Sequence, residues 1–191
     1  MRALCDSPRT VVHSFTLTID ESGPADARTR RPYNTRMIRD TLPTETDALA
    51  AIAAGTGVFK PIELDALREV LDDFHAGADT HGHRGVTFED GGKPIGFAYF
   101  APTPMTDRTW HLYWIFVDKT IQARGVGAKL MAFVEAEIAA AGGRLLLIET
   151  SSLPSYDLTR KFYRKLGYDE EATVRDFYAD GDHQVIFRKH L

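Results

Sequence analysis

The hydrophobic period changes several times along the chain, and each change marks an element. Near the start, Phe15, Leu17 and Ile19 alternate with Ser14, Thr16 and Thr18, the period of a half-buried strand. That run either adds one strand to a sheet or stays disordered. Residues 20–32 are Gly, Pro, Ala and Arg with almost nothing to bury, and they read as a linker. The expected division is an N-terminal extension over 1–32 and one domain over 33–191. Within the domain, Thr35–Arg39 is a short strand candidate. Pro43 and Thr44 open a helix that Thr44 caps and Gly55 closes. Leu64, Leu67, Leu71 and Phe74 share one face of a second helix.

A β section follows. Val86–Glu89 and Ile95–Ala101 flank Asp90-Gly91-Gly92-Lys93, which is hairpin chemistry, and Pro102 and Pro104 end the second strand. Trp110–Asp118 is apolar on both faces, as a central strand is. Gly125 starts a long helix with Val126, Leu130, Phe133, Val134, Ile138 and Ala141 on one stripe, and Gly142-Gly143 stops it. Leu145–Thr150 is again apolar on both faces. A strand, a helix and a strand in succession predict a parallel pair joined by a right-handed crossover. Pro154–Leu166 reads as a further helix ended by Gly167. Two last strands, over 168–178 and 184–189, surround the turn Ala179-Asp180-Gly181-Asp182.

Composition narrows the class. The 191 residues are 43% hydrophobic and 26% charged, enough for one domain with its own core and no staple. Lys and Arg number 23 against 27 acids, a net charge of −4, which speaks against an overall basic nucleic-acid footprint. Cys5 is the single cysteine, so neither an internal disulfide framework nor a cysteine-rich zinc site is available. That fits a reducing cytoplasm. No apolar run approaches the ~20 residues a membrane span needs. Val11–Ile19 is broken by polar residues, and Asp6, Asp20, Glu21 and Asp26 do not suit a presequence. The expectation is a cytoplasmic protein without a membrane or nucleic-acid partner.

The chemistry concentrates after the central strand, in Gln122-Ala123-Arg124-Gly125-Val126-Gly127. There a buried strand runs into a loop and straight into a helix. The first turn of a helix leaves backbone N–H groups without partners at the positive end of its dipole. Glycine lets that backbone approach a phosphate closely. Arg124 adds a donor fork for the same anion. A Gly-x-Gly alone is more often just a tight turn; the longer pattern, in this position, is far more specific. It is not the dinucleotide fingerprint, because Leu130 occupies the third glycine position, and no Gly-Lys-Ser/Thr makes it a P-loop.

With this pattern the sequence resembles the GCN5-related N-acetyltransferase (GNAT) family, whose signature is Gln/Arg-x-x-Gly-x-Gly/Ala. A second family signature is matched by Phe162-Tyr163-Arg164-Lys165-Leu166-Gly167-Tyr168. The resemblance covers about 33–191 and is strongest over 110–170. It implies an α/β fold with a mixed seven-stranded sheet, about four helices, and a splay between the two central parallel strands. It implies acetyl-coenzyme A as co-substrate, with the backbone of Gln122, Arg124, Gly125, Val126, Gly127 and Ala128 holding the pyrophosphate. It further implies that Val117 pairs with the pantetheine arm as an added strand would. The acceptor implied is a primary amine of a small molecule or peptide, acetylated directly in a ternary complex.

Such transfer needs a group to take the amine's proton, a donor to the oxyanion and a proton for the leaving thiolate. Tyr163 matches the family's acid, and a phenol with an ordinary pKa of ~10 is protonated at neutral pH. Read without the motif, it is a core tyrosine. The family's base is commonly a Glu four residues before the valine matched by Val117, and this chain has Tyr113 there. Glu149, at the end of the next strand, serves directly or through water; otherwise it is a polar strand end. His111 titrates in a suitable range as a residue type, and water alone is a further option. The family's Asn seven residues before the tyrosine is Tyr156 here, leaving Ser151 or Ser152 to make that coenzyme A contact.

Other groups rate lower. His75, His81 and His83 with Asp79 lack fixed ligand spacing, so no metal is expected. Arg160-Lys161 with Arg164-Lys165 reads as a solvated helix face. Arg175-Asp176-Phe177-Tyr178 offers an acid and two aromatics to an amine, or is an ordinary strand end. With Cys5 in the tail, a covalent acetyl-cysteine step is not expected. Two alternatives stand beside acetyl transfer: another acyl-coenzyme A chemistry, and a coenzyme A-binding module that no longer catalyses. A homodimer through Phe15–Ile19 is a further expectation.

Overall fold

The structure is a computed structural model describing residues 37–77 and 82–191. The Phe15–Ile19 alternation, the 20–32 linker, the start of the Thr35–Arg39 candidate, Asp79 and His81 lie outside the described residues. Seven strands form one sheet: β1 Ile38–Asp40, β2 Arg84–Asp90, β3 Lys93–Pro102, β4 Thr109–Val117, β5 Leu145–Ser151, β6 Asp169–Ala179 and β7 Asp182–His190. Four helices flank it: α1 Thr46–Thr56, α2 Pro61–Ala76, α3 Val126–Ala140 and α4 Asp157–Lys165. The strand order is β1-β2-β3-β4-β5-β7-β6. Every neighbouring pair is antiparallel except β4 and β5. The crossover through α3 makes that pair parallel, as the strand–helix–strand pattern requires.

The faces follow from contacts. Phe59, between α1 and α2, packs on Trp114 and Phe116 with ring centroids 5.6 and 6.0 Å apart. Phe74 of α2 meets Tyr99 edge-on at 5.6 Å. On the opposite face α3 lies so close that a Cβ on Gly96 would sit 3.1 Å from Leu130 Cδ1. Tyr163 of α4 packs on Phe187 at 5.5 Å. Between the layers, Phe88, Phe97, Phe100, Leu112, Trp114, Phe116 and Phe187 are fully buried. Each such side chain contributes roughly 1.5–3 kcal/mol of burial free energy.

The central pair comes apart. β4 and β5 pair only over Thr109–Leu112 and Leu145–Ile148, although both strands continue. In the same place β4 carries an extra residue: Tyr99 opposes Trp114 and Phe100 opposes Leu112, leaving Tyr113 without a partner position on β3. A bulge bends and overtwists its strand. β5 meanwhile stays with β7, Glu149 opposing Ile186 and Ser151 opposing Gln184. A gap therefore opens between Tyr113–Val117 of β4 and the end of β5.

Helix ends differ from the sequence reading. Pro43–Glu45 is a 3-10 turn, and Leu42 N donates to Glu45 Oε2 at 2.9 Å, so Glu45 rather than Thr44 satisfies the start. The first helix closes at Gly57, whose φ of 74° suits glycine, while Gly55 lies inside it. The Pro154–Leu166 segment divides similarly into a 3-10 turn over Pro154–Tyr156 and α4. Glu45 also accepts from Arg39 Nη2 at 2.7 Å and from Thr87 Oγ1 at 3.1 Å, while Arg39 Nε reaches Glu89 at 2.8 Å. Burial works against the Glu45 charge, but the hydrogen bonds from Arg39, Leu42 and Thr87 outweigh it and hold the carboxyl below its ordinary value.

Candidate functional site

The anion-binding loop grows from the end of β4. Val117 is fully buried and opposes Gly96. Asp118 N donates to Ile95 O at 2.9 Å. Its carboxylate accepts from Thr120 N at 2.9 Å and Thr120 Oγ1 at 2.7 Å, an Asx turn that starts the 3-10 segment Lys119–Arg124 containing Gln122. Gly125 then adopts φ 73°, and an added Cβ would meet nothing within 4 Å. Its glycine serves the torsion and does not relieve crowding. The sequence started the helix at Gly125; α3 begins one residue later, at Val126.

The first bond of α3 runs from Lys129 N to Gly125 O at 3.2 Å. The amides of Val126, Gly127 and Ala128 precede it and have no helical acceptor. Val126 and Gly127 are buried, Ala128 is half-buried, and Arg124 and Gly125 are exposed. Beside the loop lies a cavity of about 410 Å³ lined by Ala51, Ile52 and Gly55 of α1 with Asp118, Lys119 and Thr120. The interior glycine of α1 thus borders this space.

On the α3–α4 face, Tyr163 is fully buried, with Phe187 and Phe162 at 5.5 Å and Tyr168 at 5.8 Å. Burial lifts its phenol well above the ordinary value, so it stays protonated through the neutral range. Tyr156, at the family's Asn position, is also buried; burial raises its phenol first, then the charges of Glu63 and Asp182. Ser151 Oγ donates to Asp182. Ser152 Oγ accepts from His183 N at 2.9 Å while Ser152 N donates to His183 O at 2.8 Å, which prolongs the β5–β7 pairing.

Arg160 corrects the solvated-face reading of its cluster. It is 8% exposed and donates to Ser151 O at 2.5 Å, Leu153 O at 3.1 Å and the Asp157 carboxylate. It satisfies carbonyls at the end of β5 and ties them to α4. Asp176 likewise serves the hairpin: its carboxylate accepts from Gly181 N at 2.8 Å, and its own N–H donates to His183 Nδ1 at 2.9 Å.

The α1–α2 face of the gap is polar and aromatic. Glu149 Oε2 accepts from Gln184 Nε2 at 2.5 Å, and Oε1 lies 3.4 Å from His111 Nε2. His111 stacks on Tyr113 at 5.1 Å and 23°, and His83 lies parallel to Tyr113 at 6.3 Å and 5°. His83 Nδ1 is 2.7 Å from Tyr99 Oη. Burial, and after it the Glu149 charge, raises the phenols of Tyr113 and Tyr178.

Glu149, His111 and Tyr113 are therefore brought together. Tyr163 is not among them: it packs on Phe187, which alternates along β7 with the Gln184 that holds Glu149. The two candidates lie on opposite faces of the sheet, and the β4–β5 gap is where those faces communicate. Sequence reading missed Asp118 with Thr120, although Asp-x-Thr after a strand is turn chemistry. It also missed Gln184, for which no local signal exists, and it named Tyr178 only within the Arg175–Tyr178 run, not as a neighbour of Glu149. Among the described residues, no group of three or more His, Cys, Asp or Glu is placed to hold a metal. No helix among them is long and apolar enough to cross a membrane.

The acetyltransferase (GNAT) domain profile matches residues 81–170. A GNAT-family protein from Desulfovibrio desulfuricans superposes with a TM-score of 0.77 and 34% identity, over 80% of this chain and 97% of that one. The chain belongs to the GNAT family. Two further GNAT-like folds are more distant. A ribosomal-protein-alanine N-acetyltransferase from Brucella melitensis has a TM-score of 0.66 and 18% identity, over 81% of this chain and 99% of that one. An aminoglycoside 6′-N-acetyltransferase complexed with coenzyme A has a TM-score of 0.64 and 17% identity, over 80% and 96%. At those identities the likeness is one of fold. No curated protein matches the chain in sequence. The seven-stranded mixed sheet, four helices and parted parallel pair expected from the resemblance are the ones this GNAT chain has.

Proposed function

We propose that this GNAT protein transfers an acetyl group from acetyl-coenzyme A to a primary amine of a small molecule or peptide, directly and within a ternary complex. The observation that carries the reading is the edge of β4 beyond Leu112, where pairing with β5 has stopped and the strand leads into a loop that ends at the start of α3. An extended pantetheine arm pairs with such an edge as an added strand does. The pyrophosphate then meets the amides of Gln122 to Ala128 at the positive end of the α3 dipole, with Arg124 exposed beside it. Ser152 stands at the end of β5 as a further coenzyme A contact.

In this reading the amine enters from the α1–α2 face and passes its proton to the side holding Glu149. Its nitrogen attacks the thioester carbon, and the C–S bond breaks. Tyr163, kept protonated by burial, supplies the proton that leaves with the coenzyme A thiol, and the second proton the nitrogen sheds after attack restores the phenol. Residues 33–191 carry these parts. The amine acceptor is supported by the fold shared with an aminoglycoside 6′-N-acetyltransferase and a ribosomal-protein-alanine N-acetyltransferase.

The test is thiol release from acetyl-coenzyme A across a panel of aminoglycosides, polyamines, aryl-alkylamines and peptide N-termini, with product mass measured. Amine-dependent release and acetylated product are expected. Saturable coenzyme A binding without release for any amine would favour the non-catalytic module, and release only with longer acyl donors would favour another acyl chemistry.

A further inference from the structure

His111 is 8% exposed, and its Nε2 makes no hydrogen bond although it lies 3.4 Å from Glu149 Oε1. A buried ring nitrogen left without a hydrogen bond costs about 1–3 kcal/mol, and a site that keeps one usually has a use for it. The other side of Glu149 is already held, by Gln184 Nε2 at 2.5 Å. Among the described residues, His111 is the one group able to carry positive charge within 4 Å of that carboxylate. His111 is also placed by the fold. It opposes Leu147 in the last stretch where β4 and β5 still pair, at the foot of the gap, and Tyr113 stacks on its ring from the bulge.

We infer that His111 is the group that takes the acceptor amine's proton, and that Glu149 acts on it as the orienting carboxylate. This rests on the proposed acetyl transfer and names its base. In the step, an N–H bond of the ammonium breaks and an N–H bond forms on Nδ1, the ring nitrogen turned away from Glu149, while Nε2 faces that carboxylate. The electron pair stays on the amine nitrogen, which attacks the thioester. The imidazolium is held against the Glu149 carboxylate and gives its proton to water after product leaves. Chemistry favours this division of labour. An isolated carboxylate with an ordinary pKa near 4.3 is poorly matched to an amine, whereas histidine as a residue type changes charge between about pH 5 and 8.

The other titratable groups around the ring are Tyr113 on its own strand, Glu149 on β5, Tyr99 on β3 and His83 against Tyr113. Tyr178 of β6 lies beyond Glu149, and Asp73 of α2 beyond Tyr99. Burial is the largest influence on the three phenols and raises all of them, so they remain neutral across the range in question.

The experiment is the pH dependence of kcat with a weakly basic amine from the panel, for wild type, His111→Asn and Glu149→Gln. Melting temperature and coenzyme A affinity are measured for each. The wild type is expected to lose rate along one acidic limb. His111→Asn should lose roughly 10²–10⁴-fold in kcat and lose that limb, while coenzyme A affinity and melting stay near wild type. Glu149→Gln should lose rate but keep the limb, because the titrating group is still present. If Glu149→Gln abolishes the limb and His111→Asn preserves it, Glu149 is itself the base and the inference is overturned. A His111→Asn variant that unfolds or loses coenzyme A binding assigns His111 to structure and overturns it as well. A wild type that acetylates no amine fails the proposed function, and the inference with it. An active wild type with an unaltered His111→Asn profile fails the inference alone.

Discussion

Replacing Tyr163 by Phe separates the chemistry of α4 from its packing. The ring sits among Phe162, Tyr168 and Phe187 at 5.5–5.8 Å, and Phe keeps all three contacts. The change removes one buried hydroxyl, worth about 1 kcal/mol in net stability. For a chain of this size that lowers the melting temperature by roughly 2–4 °C. A proton donor to the leaving thiolate is worth 10²–10⁴-fold, which is about 2.7–5.4 kcal/mol of barrier. The kinetic loss should therefore exceed the stability loss by a factor of two or more. kcat by thiol release at saturating acetyl-coenzyme A, coenzyme A affinity by calorimetry and a thermal melt measure the three terms independently. Wild-type kcat should also show no basic limb from Tyr163 up to about pH 10, because burial holds the phenol above that ordinary value. A Tyr163→Phe enzyme within threefold of wild-type kcat would remove Tyr163 from the mechanism. A rate loss matched by lost coenzyme A binding would make it a packing residue.

Gly125→Ala places a side chain in a left-handed torsion at φ 73° with open space around it, so strain is its only cost. It should lower stability by about 1–2 kcal/mol and weaken coenzyme A binding at least tenfold, read by chemical denaturation and calorimetry. Unchanged affinity would mean the loop does not hold the coenzyme. The Glu45 carboxyl is held below its ordinary value in the fold by hydrogen bonds that outweigh burial. Its stabilisation is thus present above the unfolded value, near 4.3, and is lost as pH falls through the lower folded value. Glu45→Gln should be about 1–3 kcal/mol less stable at pH 7, with the difference shrinking below pH 4 in acid titrations of unfolding. A difference constant from pH 7 to 3 would contradict this linkage.

What the sequence revealed was the part carried by local pattern. The hairpin at Gly91-Gly92 needs left-handed torsions at both positions, and both glycines have them, with φ of 60° and 80°. The buried strand, loop and helix from Ile115 to Leu130 showed in the switch of hydrophobic period. The bulge at Tyr113 did not, because an extra residue in a strand needs no glycine or proline, and in a strand apolar on both faces its one-residue phase shift does not show. The splay consequently came only from family resemblance. Glu149 and His111 were each singled out, but neither their adjacency nor Gln184 was: His111 lies 38 positions before Glu149 and Gln184 35 after it, and only the strand order brings them together. Arg160 misled because a basic run on a helix reads as solvated. Its charge instead answers carbonyls at the end of a neighbouring strand.

The central claim is that Tyr113–Val117 and the Gln122–Ala128 loop receive acetyl-coenzyme A. Calorimetric titration of the purified protein with acetyl-coenzyme A, with NADH as the control dinucleotide, tests it most directly. The account predicts saturable binding of acetyl-coenzyme A in the micromolar range, one site per chain, and no heat from NADH. No binding of acetyl-coenzyme A, or equal binding of NADH, would leave Gln122–Gly127 as a turn and contradict the account.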